Sequence, residues 1–226
     1  MTTAPMTSGC DDRIYEGSNP PLLKLIADRP VGKALDCGCG AGGNACALRG
    51  IGWRITGVTI SASEADQASK CCEKVLLADL NTGIPRDAGG PFDVVILSHV
   101  LEHLFYPSRV LEDTRRLLSP KGHVLVALPN VLYWRQRIKI LRGQFEYERT
   151  GIMDETHVRF YTFKSGQALL RSNGFEIVTA TGDGDFPLPF FRRLLPGVAR
   201  KLDVHAAPLA PGLFSSQLLY VGKPTS

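Results

Sequence analysis

The run Lys33-Ala34-Leu35-Asp36-Cys37, followed at once by Gly38-Cys39-Gly40-Ala41-Gly42-Gly43, constrains this chain more than any other segment. A short apolar run broken by glycines and followed by helical spacing over 43–49 reads as strand, sharp turn and helix. The rest of the chain continues the alternation. Apolar runs at 54–59, 74–78, 92–97, 123–128, 175–181 and 216–221 are strand candidates. Pro20-Pro21 opens a short helix over 22–27, and Ser61-x-x-Glu64 has the form of a capping box ahead of another. The helix after the fourth strand ends near Leu118, with Ser119-Pro120-Lys121-Gly122 as its stop, and Thr162 caps a helix that Asn173-Gly174 closes. Strands alternating with helices predict an α/β fold with a buried, mostly parallel sheet.

With 226 residues, 44% of them apolar, the chain is expected to form one domain over 1–226. Residues 1–14 read as a flexible tail without the apolar core of a signal peptide, and no apolar run reaches a membrane span, so a cytoplasmic location is expected. Two stretches, 131–160 and 186–212, are basic, aromatic or proline-rich and read as covers on the substrate side of the sheet. The net charge of +4 and pI near 8.8 do not call for a nucleic-acid partner. The six cysteines, at 10, 37, 39, 46, 71 and 72, make neither a C-x-x-C pair nor a disulfide framework, so reduced, buried thiols are expected.

Gly38-x-Gly40-x-x-Gly43 fits a dinucleotide-binding turn, but two neighbours oppose that reading. The ribose of a dinucleotide wants an acid about twenty residues on, where Thr59 stands. Asp36, directly ahead of the glycines, would face the charges of a pyrophosphate. An acid there suits a positively charged cofactor instead. S-adenosylmethionine, with an ammonium, a sulfonium and no phosphate, meets that requirement.

Leu35-Asp36-Cys37-Gly38-Cys39-Gly40-Ala41-Gly42 resembles the first motif of class I S-adenosylmethionine-dependent methyltransferases. Ala78-Asp79-Leu80, Phe92-Asp93-Val94-Val95-Ile96 with Ser98-His99-Val100-Leu101-Glu102-His103, and Leu117-Leu118-Ser119-Pro120-Lys121-Gly122 resemble its later motifs in order. The segment Asp154-Glu155-Thr156-His157-Val158-Arg159-Phe160-Tyr161-Thr162 resembles a bacterial subgroup that acts in polysaccharide, glycolipid or secondary-metabolite pathways. The resemblance implies a Rossmann-like seven-stranded sheet with helices on both faces and an antiparallel last strand. It also implies transfer of a methyl group to a small-molecule or lipid-linked acceptor, most simply a hydroxyl or an amine.

The same resemblance implies the site residues. Asp36, Cys37, Gly38, Cys39, Gly40 and Gly42 would cradle the methionine part of the cofactor, Asp79 and Leu80 the adenine, and Ser98 would lie beside it. Thr59 replaces the usual ribose-binding acid; the run 57–61 resembles the cyclopropane-synthase branch, in which a threonine and a polar residue five further on, here Glu64, take that task. His99, His103 and His157 are the candidate catalytic residues, because a hydroxyl acceptor needs a base and imidazole titrates in the right range. Tyr15, Arg159 and Tyr161 are candidate acceptor contacts. His99-x-x-Glu102-His103 also matches an inverted zinc-protease motif, but His99 falls at a strand end, where it cannot share a helix face with His103. Some quinone methyltransferases place E-x-x-E-H here with a divalent ion; His99 replaces the first glutamate, and no metal is expected. The competing readings are an RNA or quinone methyltransferase and a cofactor-binding module without catalysis. Peripheral membrane contact through the basic, aromatic covers is a further expectation.

Overall fold

A computed structural model of the chain describes residues 17–185 and 209–225, with Pro187, Gly197 and Ala207 between them. Seven strands form one sheet: β1 (Lys33–Cys37), β2 (Arg54–Thr59), β3 (Lys74–Leu77), β4 (Phe92–Ser98), β5 (Leu118–Pro129), β6 (Phe175–Gly184) and β7 (Ser215–Pro224). Their order is β3-β2-β1-β4-β5-β7-β6. Strands β1 to β5 pair in parallel, and β7 runs antiparallel to both β5 and β6. The α/β, Rossmann-like architecture expected from the sequence, including the reversed last strand, is the one observed.

The period of two along each buried strand divides the core into two layers. Leu35, Cys37, Val95 and Leu97 pack on one face with Val110 and Leu111 of α4 (Pro107–Leu117) and Leu170 of α6 (Phe163–Ser172). Ala34, Val94 and Ile96 pack on the other with Leu22 of α1 (Pro20–Lys24), Ala45 and Leu48 of α2 (Gly43–Arg49), and Ala68 of α3 (Ala62–Ala68). Two further helices, α5 (Trp134–Leu141) and α7 (Pro211–Phe214), lie beyond the carboxyl end of β5 and ahead of β7. Trp134 donates its indole N–H to the Asp185 carbonyl at 2.9 Å and Arg135 pairs with the Asp185 carboxylate at 2.7 Å, tying α5 to the end of β6.

The sequence-based boundaries shift at a few places. β5 opens at Leu118 rather than at 123, because Leu118 already pairs with Phe92 before the register jumps to Val94 and His123. Residues 119–122 bulge out opposite the single Asp93, so the Ser-Pro-Lys-Gly stop acts as a bulge inside a strand. The capping box at Ser61 forms only half: Ser61 Oγ accepts from the Glu64 N–H at 3.4 Å, while the Glu64 carboxylate turns to Thr59. The complete capping box lies at α6, between Thr162 and Ser165.

The cysteine expectation is corrected. Cys46 on α2 and Cys71, in the turn after α3, form a disulfide with Cα atoms 4.9 Å apart. Their 25-residue separation carries no motif; the packing of both helices over β2 brings them together. Cys37, Cys39 and Cys72 are buried thiols as expected, and Cys10 lies outside the described residues. Among the described residues no helix is long and apolar enough to cross a membrane. Most of the 186–212 cover lies outside the described residues, as do the 1–14 tail and Tyr15.

Candidate active site

The strand order reverses direction between β1 and β4, and open α/β sheets bind ligands beyond the carboxyl ends of their strands at such a point. Every candidate residue from 36 to 103 sits at that edge. The turn after β1 is built from left-handed glycines, with φ of +69° at Gly38 and +90° at Gly42. A Cβ on Gly38 would stand 2.6 Å from a Val100 methyl, and one on Gly42 would stand 3.0 Å from the Ala68 backbone. Only glycine fits either position.

Asp36 lies under this turn, 1% exposed, with no hydrogen-bond partner for either oxygen among the described residues. Burial pushes its pKa up to about 7, offset in part by the nearby Asn44 amide. A carboxylate stripped of water and left without a donor is costly unless a cation or donor joins it. At the end of β2, Thr59 donates to the buried Glu64 carboxylate at 2.6 Å. After β3, Asp79 Oδ1 accepts from the Asn81 backbone at 2.8 Å and from its side chain at 3.1 Å; its Oδ2 has no partner among the described residues. Leu80 is buried beside it. Asp79 therefore makes an Asx-turn with one oxygen.

The residues present thus fit S-adenosylmethionine: an orphaned buried acid for its ammonium, a close glycine backbone, a carboxylate–hydroxyl pair at the ribose position and an acceptor oxygen with an apolar neighbour for the adenine.

The second half of the site follows β4. Ser98 accepts from Asn19 Nδ2 at 3.2 Å. His99, the only non-glycine residue with positive φ (+55°) among the described residues, holds Glu102 Oε1 through Nδ1 at 3.2 Å and Gln217 Oε1 through Nε2 at 3.1 Å. Its side chain is 42% exposed by area, yet protein groups take both ring nitrogens. Burial lowers the His99 pKa, but the hydrogen bond and charge of Glu102, with Gln217, outweigh it and leave the value raised. Glu102 is fully buried, and its Oε2 has no partner among the described residues. Its backbone carbonyl accepts from Val158 and Arg159 at 3.0 and 3.1 Å, which pins the 154–162 segment against the β4 turn.

That contact brings His103 and His157 together, with ring centroids 4.7 Å apart and edge to face. Thr156 donates its hydroxyl hydrogen to Asp154 at 2.7 Å, so its oxygen accepts from His103 Nδ1 at 3.0 Å. The Ile152 carbonyl likewise accepts from His157 Nδ1 at 3.1 Å. Each ring therefore carries a hydrogen on Nδ1, and in its neutral form each has Nε2 as the acceptor nitrogen. Burial first, then His103, holds the His157 pKa below the usual range despite Glu102. One atom each of Glu102, His103 and His157 lie within 4.8 Å of one another. Metal ions use such compositions too; two imidazoles beside a carboxylate can equally accept and pass a proton.

Arg159 is tied to the loop before α4. Its guanidinium donates to the Leu104 and Phe105 carbonyls at 3.2 and 2.6 Å, so it fastens the segment in place. Tyr161 is buried, its hydroxyl has no partner among the described residues, and burial raises its pKa to about 12. The sequence reading missed Asn19 and Gln217. Asn19 carries the signal of a helix cap before Pro20-Pro21, whereas Gln217 is one polar residue in a strand and carries none.

A sequence model described as a methyltransferase domain matches residues 13–180. The chain belongs to that methyltransferase family. A ubiquinone biosynthesis O-methyltransferase of Proteus mirabilis is 31% identical over 128 residues, covering 50% of the methyltransferase and 49% of the relative. One from Coxiella burnetii is 26% identical over 179 residues, covering 75% and 76%. The chain spans about half the length of the first of the curated relatives it matches. Among solved structures, an S-adenosylmethionine-dependent methyltransferase from Archaeoglobus fulgidus superposes with a TM-score of 0.62 at 18% identity, covering 90% and 91% of the two chains. The magnesium protoporphyrin IX methyltransferase of Synechocystis with bound SAH gives 0.59 at 18%, covering 91% and 80%. At that identity the likeness concerns the fold.

Proposed function

We propose that the protein transfers a methyl group from S-adenosylmethionine to a hydroxyl, or an amine, of a small or lipid-linked acceptor such as a sugar, a glycolipid or a secondary metabolite. The observation that carries the reading is Asp36, a fully buried acid with no well-formed hydrogen bond and only the Asn44 amide near it, under a turn that only glycine can make. When bound, the donor supplies a methyl already activated by its positive sulfur. Asp36 with the Cys37–Gly42 backbone holds the ammonium end, Thr59 and Glu64 the ribose, and Asp79 with Leu80 the adenine. His103 and His157 both direct Nδ1–H at protein oxygens, and burial favours the neutral form of His157, whose Nε2 is then an acceptor. The pair takes the acceptor's proton as the methyl arrives. Alignment of donor and acceptor, and exclusion of water, supply the rest of the rate.

The relatives named for ubiquinone biosynthesis favour a second reading, an aromatic hydroxyl of a quinone precursor as acceptor. A lipid-linked acceptor of either kind agrees with α5, whose Leu141 is 86% exposed beside Arg142. The test is incubation with methyl-labelled S-adenosylmethionine and a panel of sugars, glycolipids, amines and catechols, followed by identification of the labelled product. Transfer to none of them, with S-adenosylmethionine binding intact, would instead favour the cofactor-binding module.

A further inference from the structure

His99 is the one candidate base whose two ring nitrogens are both spoken for, and its partners leave little freedom in which hydrogens it carries. Asn19 Oδ1 accepts from the Leu22 N–H at 3.2 Å as the cap of α1, so its amide nitrogen points the other way, to Gln217 Oε1 at 2.9 Å. Gln217 Nε2 donates to Asp183 Oδ2 at 3.1 Å, which fixes the opposite end of that amide. Gln217 Oε1 is therefore the atom that faces His99, and a carbonyl oxygen only accepts. His99 Nε2 must carry hydrogen. On the other side of the ring, Nδ1 lies 3.2 Å from Glu102 Oε1, so protonation of Nδ1 makes the ring a donor to that carboxylate.

We propose that Gln217, oriented by Asn19 and Asp183, is a positioning residue that holds a hydrogen on His99 Nε2, turns Nδ1 to the Glu102 carboxylate, and so takes His99 out of the role of base. The contact with His99 occupies Oε1 of Glu102, while its buried Oε2 has no partner among the described residues and the carboxylate stands beside His103 and His157. The groups around His99 are Glu102 from the 3-10 turn after β4, Gln217 from β7 with Asp183 of β6 behind it, and Ser98 with Asn19 at the strand end. Two of these are carboxylates and none is a cation. The line of contacts also reaches the other half of the site, because Asn44 beside Asp36 accepts from the Asn19 backbone at 2.8 Å. Sequence gives no hint of this, since the chain closes the circuit with a residue 118 positions from His99.

The test needs no acceptor. In the full chain with labelled histidine, long-range proton–nitrogen correlation spectra followed over pH report both ring nitrogens of His99. Nε2 is expected to be protonated throughout, with titration of Nδ1 above that of an ordinary histidine. Gln217→Leu removes the acceptor and is expected to lower the His99 pKa by about one unit, while Gln217→Glu adds a charge and is expected to raise it. Opposite shifts from one position are not produced by general loosening of β7, and the glutamate variant retains the test if the leucine variant does not fold. An unprotonated Nε2 in the wild type, or a His99 titration that neither substitution moves, overturns the proposal. The inference rests on the proposed function only in naming the His103 and His157 end as the acceptor side. A failed transfer assay would leave it intact, and a failed titration would leave the transfer reading intact.

Discussion

Thr59 donates its hydroxyl hydrogen to Glu64 across 2.6 Å, so an acid in the first turn of α3 bends back onto the end of β2. The edge of the sheet thereby gains a carboxylate at the place where the strand itself supplies only a threonine.

The first prediction follows from that pair. Glu64→Ala strips Thr59 of its acceptor in a buried setting and removes the carboxylate, whereas Glu64→Gln keeps an acceptor oxygen. Losing a hydrogen bond to a charged group costs about 1.5–3 kcal/mol, or roughly ten- to a hundred-fold in affinity. Calorimetry should find S-adenosylmethionine binding weakened by such a factor in the alanine variant and by less in the glutamine variant. Equal affinities in the two would remove Glu64 from the cofactor site.

Asp36 makes a prediction about pH. Its folded-state pKa, about 7, lies above its unfolded value of 3.8. Below pH 4 both states are protonated and burial costs nothing. Between pH 4 and 7 the unfolded chain releases the proton while the folded apo protein keeps it, so this residue destabilises the fold progressively as pH rises. At 1.36 kcal/mol per unit the full cost is on the order of 4 kcal/mol. The apo protein should therefore gain stability near pH 7 on Asp36→Asn and gain little at pH 4. A cationic ligand ionises the acid, so binding at pH 6.5 should release a proton, measurable as a dependence of the calorimetric heat on buffer. A variant whose gain in melting temperature is the same at both pH values would contradict the assignment.

How much of this could be read beforehand differs from residue to residue. Strand β1, the glycine turn and α2 were legible to the residue, because the left-handed turn demands glycines that sequence displays directly. The bulge at 119–122 was visible only as a helix stop, since pairing of Leu118 with Phe92 is a contact between strands. The histidines could be nominated by type, but their tautomers depend on Thr156, Ile152 and Gln217, which no spacing connects to them. Arg159 could be nominated as an acceptor contact from its charge and motif; the two backbone carbonyls that its guanidinium holds are invisible in sequence.

The disulfide supplies a third prediction. Cys46–Cys71 closes a loop of 25 residues that contains all of β2 and α3. Cross-links of this size typically stabilise by about 2–4 kcal/mol. Urea unfolding with and without a dithiol reductant should show the oxidised form more stable by that amount, and Cys46→Ser should be insensitive to the reductant. Identical midpoints for oxidised and reduced wild type would show that the bond does not contribute.

Tyr161 separates stability from function most cleanly. Its hydroxyl is buried and has no partner among the described residues, so the free protein bears a desolvation cost with nothing to offset it. Removing that oxygen should not harm the fold: Tyr161→Phe is expected to leave the unfolding free energy unchanged or raise it by up to about 1 kcal/mol. If the hydroxyl serves the acceptor, the same variant should raise the acceptor KM with little change in S-adenosylmethionine affinity, because Asp36, Glu64 and Asp79 are untouched. A fall in stability instead would mean that the hydroxyl already has a partner in the free protein, and Tyr161 would leave the acceptor site.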